Sequence, residues 1–177
     1  MTTLESEREL GTERLVPAET RVCVVGLGYI GLPTAGVLAT KGFQVYGTDV
    51  RSDVVDTINQ GNIHIEEPDL DILVRSGVNS GQLRAGHDPQ PADVFILCVP
   101  TPIREDKSPD LSYIEKACNA IQPHVQAGNL VILESTSPPG TTHRLVQAKA
   151  IPQGLEVGKD IFVAHCPERV LPGRILL

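Results

Sequence analysis

The sequence predicts an α/β fold: a doubly wound, mainly parallel six-stranded sheet with helices on both faces. Three observations carry that prediction. From Arg21 onward, short apolar runs rich in β-branched residues alternate with segments of helical period, as parallel strands joined by right-handed helical crossovers require. The run Val94-Phe95-Ile96-Leu97-Cys98-Val99 is too continuous for a half-solvated strand and suits one covered on both faces. The first apolar run, Arg21 to Val25, breaks directly into Gly26-Leu27-Gly28-Tyr29-Ile30-Gly31, a glycine pattern suited to a tight turn from strand to helix.

The elements follow in order. Residues 1–20 read as a polar, charged leader with Pro17 near its end, and residues 21–177 as one domain. Strands are predicted at Arg21–Gly26, Gln44–Thr48, Leu83–Ala85, Val94–Val99, Leu130–Glu134 and Ile161–Ala164, each a short run bounded by turn residues. Helices are predicted at Tyr29–Lys41, Ser52–Asn59, Leu70–Ser76, Ser112–Val125 and Thr141–Ile151. Pro33 falls early in the first helix, where its missing N–H costs little, and Gly42 stands just beyond it as a C-terminal cap. Ser112 and Glu115 have the spacing of a capping box for the fourth helix. Gly61 to Asp69 is a connection rich in turn residues and acids.

Three features point to a dinucleotide. In Gly26-x-Gly28-x-x-Gly31 the glycines allow the turn, close approach of a pyrophosphate to the backbone, and close helix–strand packing, with Tyr29 and Ile30 inside the same turn. Asp49 follows Gly31 by 18 residues at the end of the second strand, where this fold places the carboxylate that binds the adenosine ribose. A 2′-phosphate would meet a like charge there, so NAD is expected over NADP; Arg51, two residues on, is expected to stack on the adenine or sit on the rim. Two loops also end strands on this edge, where open α/β sheets bind ligands. Val99-Pro100-Thr101-Pro102 follows the fourth strand and Glu134-Ser135-Thr136-Ser137-Pro138-Pro139-Gly140-Thr141 the fifth.

Composition excludes other classes. Aromatics are 3% with no Trp and the net charge is −7 without a basic block, which argues against a nucleic-acid partner. There is no apolar run of about 20 residues and no apolar core in the first 19, so a cytoplasmic protein without membrane contact is expected. Cys23, Cys98, Cys118 and Cys166 show no Cys-x-x-Cys spacing and read as reduced thiols; no metal site is expected.

Five motifs together resemble the UDP-glucose/GDP-mannose dehydrogenase family. They are Gly26 to Pro33, Ile65-Glu66-Glu67-Pro68-Asp69-Leu70, Val99 to Pro102, Glu134 to Pro138, and Cys166-Pro167-Glu168-Arg169-Val170-Leu171-Pro172-Gly173. They run in order from about Arg21 to the end, and the last most resembles the members that act on UDP-N-acetyl-D-mannosamine. The resemblance implies a Rossmann-type NAD-binding domain. It also implies oxidation of the C6 alcohol of a UDP-sugar to the carboxylate with two NAD+, through a thiohemiacetal and a thioester on a cysteine. By the same resemblance Thr136 and Glu168 hold the catalytic water and assist proton transfer. Glu168, Arg169, Val170, Leu171 and Gly173 belong to the sugar site, and Thr101 and Ser135 lie near the ribose and nicotinamide.

The family's cysteine nucleophile belongs to a later Gly-Gly-His-Cys motif, and its dimerising central helix and nucleotide-gripping C-terminal domain also come later. This chain alone is therefore expected to bind NAD without oxidising sugar, and the full-length parent to be a homodimer. Cys166, beside Pro167, is expected to be structural. The alternatives are a stand-alone dinucleotide-binding or sensing module without catalysis, and a dehydrogenase of the 3-hydroxyacid type, in which the motif from Cys166 to Gly173 has no place.

Overall fold

The computed structural model describes residues 16–171, 173 and 175. The predicted leader lies outside the described residues except for its end, where Pro17–Glu19 forms one 3-10 turn.

Six parallel strands form one sheet in the order β3-β2-β1-β4-β5-β6. They are β1 (Arg21–Val25), β2 (Gln44–Thr48), β3 (Leu83–Gly86), β4 (Val94–Leu97), β5 (Leu130–Ser135) and β6 (Phe162–Pro167). The helices are α1 (Gly31–Thr40), α2 (Ser52–Asn59), α3 (Leu70–Asn79), α4 (Ser112–Ile121) and α5 (Gln147–Ala150). The order reverses direction between β1 and β4, so a crevice opens there beyond the carboxyl ends of both strands. This is the Rossmann-type architecture that the alternation predicts.

The strand pleat divides the core in two. Val22, Val24, Val94 and Ile96 point to the face covered by α1, α2 and α3, where they meet Leu32, Ile58, Leu70 and Val74. Cys23, Val25, Phe95 and Leu97 point to the face covered by α4 and α5, against Ile114, Cys118, Ile121 and Val146. Phe95 and Leu97 are fully buried, each stabilising the fold by about 2 kcal/mol relative to exposure. Gly36 and Gly77 let α1 and α3 press close, and Gly77 would bring a Cβ within 3.1 Å of Ala39 and Leu83.

Several predicted boundaries move. The first helix starts at Gly31 rather than Tyr29, because Gly26 to Ile30 are spent on the turn. It ends at Thr40, one residue before the predicted Lys41, with Gly42 in the predicted capping place: at φ 93° it donates to Ala39 O, and Phe43 donates to Leu38 O. The third helix runs on to Asn79, while the fourth stops at Ile121 and tightens into a 3-10 turn at Gln122–His124, where Pro123 removes a donor. The fifth is wound as a π-turn over Thr142–Val146 before α5.

The predicted capping box does not form. Asp110, two residues before Ser112, accepts the Ser112 N–H at 3.0 Å, and no side chain caps from Leu111. Glu115 turns instead to Lys149, 2.7 Å away. Arg104, 2.9 Å from Asp110, adds to the Ser112 bonds in holding the Asp110 carboxyl down at about 2.

A second carboxylate joins the amino ends of β1 and β4. Asp93 Oδ2 accepts the Arg21 N–H at 2.8 Å, and Oδ1 lies 2.9 Å from the Arg21 guanidinium. The guanidinium bond, ahead of the other causes, lowers the Asp93 pKa below the usual carboxylate range. Both side chains are more than a third exposed, so the pair stabilises by no more than about 1 kcal/mol. Because the folded-state pKa is depressed, that contribution is present above the unfolded carboxylate's range near about pH 4 and is lost as pH falls through the folded value. Asp93→Asn is expected to lower Tm slightly at pH 7 and to melt with the parent at acid pH; a gap that persists in acid would contradict this.

Candidate functional site

The site starts where β1 ends. Gly26 donates to Thr48 O at 2.8 Å and stands at φ 93°, which a side chain resists. A Cβ there would also lie 2.6 Å from Cys98 O, so the glycine lets the turn pass over the end of β4. At Gly31 a Cβ would meet Gly26 O at 1.8 Å, so the turn closes onto α1 only with hydrogen at that position. Gly28 differs: nothing lies within 4 Å of where its Cβ would be, and its outer face is open space. Two of the three glycines serve packing and one serves access.

Asp49 ties this turn to the end of β2. Its Oδ2 accepts the Leu27 N–H at 3.0 Å and its Oδ1 accepts the Arg51 N–H at 3.0 Å. Its own backbone is fixed by donation to Gly86 O at 3.1 Å. Arg51 is exposed and paired with Asp53, which sits in the first turn of α2. His64 comes close to this group, and its Nδ1 is buried without a partner. Burial, with Arg51 second, lowers the His64 pKa and favours the neutral ring.

Gly28, Tyr29 and Ile30 form one wall of a cleft of about 280 Å³ at the crevice between β1 and β4. Val99, Pro100 and Thr101 form another wall, and Ser135, Thr136 and Glu168 complete it. The two loops meet through their hydroxyls, Thr101 Oγ1 and Thr136 Oγ1 being 3.2 Å apart. Ser135 is buried and its Oγ accepts the Ser137 N–H at 3.3 Å, which fixes the start of the second loop. Glu168 follows β6 immediately, and its Oε1 accepts the Val170 N–H. It forms no ion pair with Arg169.

Glu134 is a lining residue that sequence reasoning passed over, although it opens the fifth-strand motif. Its carboxylate accepts from Cys98 Sγ at 3.4 Å, with Cys166 Sγ at 4.0 Å on the other oxygen. The register explains the contact: Glu134 pairs with Cys166 across β5 and β6, and Cys98 extends β4 beside it. Burial pushes the Glu134 carboxyl up, and Glu168 adds to the effect, outweighing the bonds from Cys98 and Thr34. Burial together with Glu134 likewise raises both thiols, Cys98 far above its ordinary value. A raised thiol pKa favours the protonated thiol over the thiolate at both positions.

The structure thus brings together the glycine turn, Asp49, Val99 to Thr101, Ser135, Thr136 and Glu168. Of the predicted cofactor residues, Gly26, Gly31, Asp49 and Arg51 do not line the cleft itself, and Arg169, Val170, Leu171 and Gly173 do not border it; Leu171 is exposed. A larger cleft of about 510 Å³ opens at the opposite edge of the sheet beside Arg21, Gln44 and Arg84. It lies at the amino ends of the strands, away from the glycine turn.

The cleft fits a dinucleotide on its own terms. No side chain caps the start of α1 and no acid lies in its first turn, so its positive dipole end is open to an anion; Leu32 and Thr34 donate to Gly28 O and Ile30 O and Pro33 has no N–H, which leaves the Gly31 N–H for a ligand. The open face of Gly28 gives a phosphate access to them, and Asp49 offers acceptors for a diol. Among the described residues, no helix is long and apolar enough to cross a membrane.

Comparison with known proteins agrees. Residues 20–177 match the model of the UDP-glucose/GDP-mannose dehydrogenase family, NAD binding domain. The chain is 55% identical over 162 residues to NDP-N-acetyl-D-galactosaminuronic acid dehydrogenase of Ralstonia solanacearum, covering 88% of this chain and 38% of that protein. It is 51% identical to UDP-N-acetyl-D-mannosamine dehydrogenase of Campylobacter jejuni, covering 88% and 40%. The solved UDP-N-acetyl-mannosamine dehydrogenase of Staphylococcus aureus superposes with a TM-score of 0.85 at 42% identity, covering 89% of this chain and 39% of that one. The chain spans about two fifths of the length of the curated relatives it matches.

Proposed function

Since the chain belongs to the UDP-glucose/GDP-mannose dehydrogenase family and is its NAD-binding domain, we propose that it serves a nucleotide-sugar 6-dehydrogenase. The substrate is a UDP-linked N-acetylhexosamine, UDP-N-acetylmannosamine first, oxidised at C6 to the uronate with two NAD+. The observation that carries this reading is the convergence of Thr136 and Glu168 on the cleft that the glycine turn walls.

NAD, when bound, supplies the acceptor for the hydride leaving C6. The chain's own residues do the rest of the work assigned to this domain. Gly26, Gly28, Tyr29, Ile30 and Gly31 present the backbone of the turn and the start of α1 to the pyrophosphate. Asp49 accepts from the ribose hydroxyls and Arg51 guards the rim. Val99, Pro100, Thr101 and Ser135 hold the two loops that flank the reacting end. Thr136 positions water and Glu168 moves a proton, a role that its place in the cleft and a nearby second carboxylate suit. Arg169, Val170, Leu171 and Gly173 offer backbone to the sugar once the rest of the site is assembled. The domain alone is expected to bind NAD without oxidising sugar, since both thiols beside the cleft are biased toward the protonated form.

A second reading changes only the sugar. The 55% identity to the Ralstonia protein favours the galacto epimer at C2 and C4 as the alternative. The full-length protein should reduce two NAD+ per uronate formed from one of these UDP-N-acetylhexosamines, and should do so faster than from UDP-glucose or GDP-mannose. Absorbance of NADH at matched substrate concentrations decides it. No turnover of either amino sugar, or a preference for GDP-mannose, would overturn the proposal.

A further inference from the structure

Glu67 has no place in the account so far, yet it is one of the most deeply buried charged groups in the molecule. It lies in the connection between α2 and α3, where Ile65 and Leu70 on either side are anchored in the core. Its side chain is 5% exposed. Among the described residues it has no cationic partner. Instead its Oε2 accepts the Gly173 N–H at 2.6 Å and its Oε1 accepts the Ile175 N–H at 2.6 Å.

Burying a carboxylate is costly unless both oxygens are satisfied. Here two charge-assisted bonds to alternate backbone amides satisfy it. Gly173 stands at φ 83°, and a conformation open to glycine helps turn its N–H toward the same carboxylate that Ile175 reaches. Glu67 therefore fastens a segment more than 100 residues away in sequence.

What it fastens matters for the cleft. The segment leaves β6 at Pro167, which is held in register opposite Ser135. Its next fixed point is Glu67. Glu168 lies between these two anchors and projects into the cleft. With only the β6 anchor, the backbone beyond Pro167 would have many conformations, and the Glu168 carboxylate would be spread over them.

We propose that Glu67 is a positioning residue for the reaction: it clamps the backbone at Gly173 and Ile175 and thereby holds Glu168 where it acts on the substrate. It touches neither substrate nor cofactor. The proposal rests on the dehydrogenase reading above for its catalytic half, while the clamp itself stands independently of that reading.

The test uses the full-length enzyme with Glu67→Gln and Glu67→Asp. Glutamine keeps the volume but sets an NH2 group against one of the two amides; aspartate keeps the charge but falls short by one methylene. Hydrogen exchange of the peptide spanning 169–175 reads the clamp, and steady-state kinetics read its consequence. Glu67→Gln is expected to speed exchange in that peptide at least tenfold and to lower kcat at least tenfold, with NAD+ affinity unchanged within twofold. Glu67→Asp should fall between it and the parent in both readouts, and carries the test if the glutamine variant does not fold. Unchanged exchange would overturn the clamp. Faster exchange with undiminished kcat would overturn its role in positioning. An equal loss of NAD+ affinity and of kcat would overturn the proposal too, since it would make Glu67 a support of the whole domain. A parent enzyme without activity on any nucleotide sugar would defeat the dehydrogenase reading instead, and the exchange arm would still decide the clamp.

Discussion

Gly31→Ala and Gly28→Ala should fail in opposite ways. At Gly31 the added methyl carbon would sit 1.8 Å from Gly26 O, which belongs to backbone fixed by its own bond to Thr48 O. Neither partner can yield without moving α1 off the sheet. A loss of about 3 kcal/mol or more is expected, lowering Tm by about 10 °C. At Gly28 the same methyl meets nothing within 4 Å. Gly28→Ala should keep its Tm within about 2 °C of the parent, since surface changes clear of special features cost about 0.5 kcal/mol at most. It should nonetheless weaken NAD+ binding by about tenfold or more, the methyl group standing where the pyrophosphate needs the backbone. Thermal melts and titrations on the two variants separate packing from access. A stable Gly31→Ala, or a Gly28→Ala that binds normally, would contradict the division of roles among the three glycines.

Asp49 carries the second large effect. Its two oxygens already serve Leu27 N–H and Arg51 N–H, one each, and the residue is only partly buried. Asp49→Ala removes a charged acceptor from the ribose hydroxyls and the brace from the glycine turn together. Hydrogen bonds to charged groups contribute about 1.5–3 kcal/mol, so NAD+ should bind about 10- to 100-fold more weakly. NADP+ should lose less, because the like charge that opposed its 2′-phosphate has gone. Asp49→Asn is not a neutral control. The amide offers one acceptor and turns its NH2 toward the other backbone N–H, so it should also loosen the turn. If Asp49→Ala left the preference for NAD+ intact, discrimination would have to come from elsewhere, and Arg51 paired with Asp53 would be the first place to look.

The parts of this site that were legible in the sequence are those fixed by local rules. The apolar run through Leu97 reads as a strand covered twice because it is one, and β2 has the predicted ends because Gly42 and Asp49 bound it. The glycine turn and Asp49 were legible because their spacing follows from one strand–helix–strand unit. The missed features are those decided by contacts distant in sequence. The capping-box spacing at Ser112 and Glu115 was present, but Lys149 drew Glu115 away and Asp110 took over the cap. The π-turn at Thr142–Val146 shifts the helical period by one residue, which apolar periodicity over so short a stretch does not register. Glu134 becomes a cleft residue only through the register of three strands, and Glu67 only when a loop 106 residues later returns to it. Both stood in quoted motifs as unassigned acids, and no periodicity distinguishes a buried acid from a solvated one.

The most direct test of the central claim is a calorimetric titration of the purified chain with NAD+, run beside NADP+. One saturable site with a clear preference for NAD+ is the predicted result: the open face of Gly28, the uncapped start of α1 and Asp49 acting together. Binding of neither nucleotide, or equal affinity for both, would contradict it.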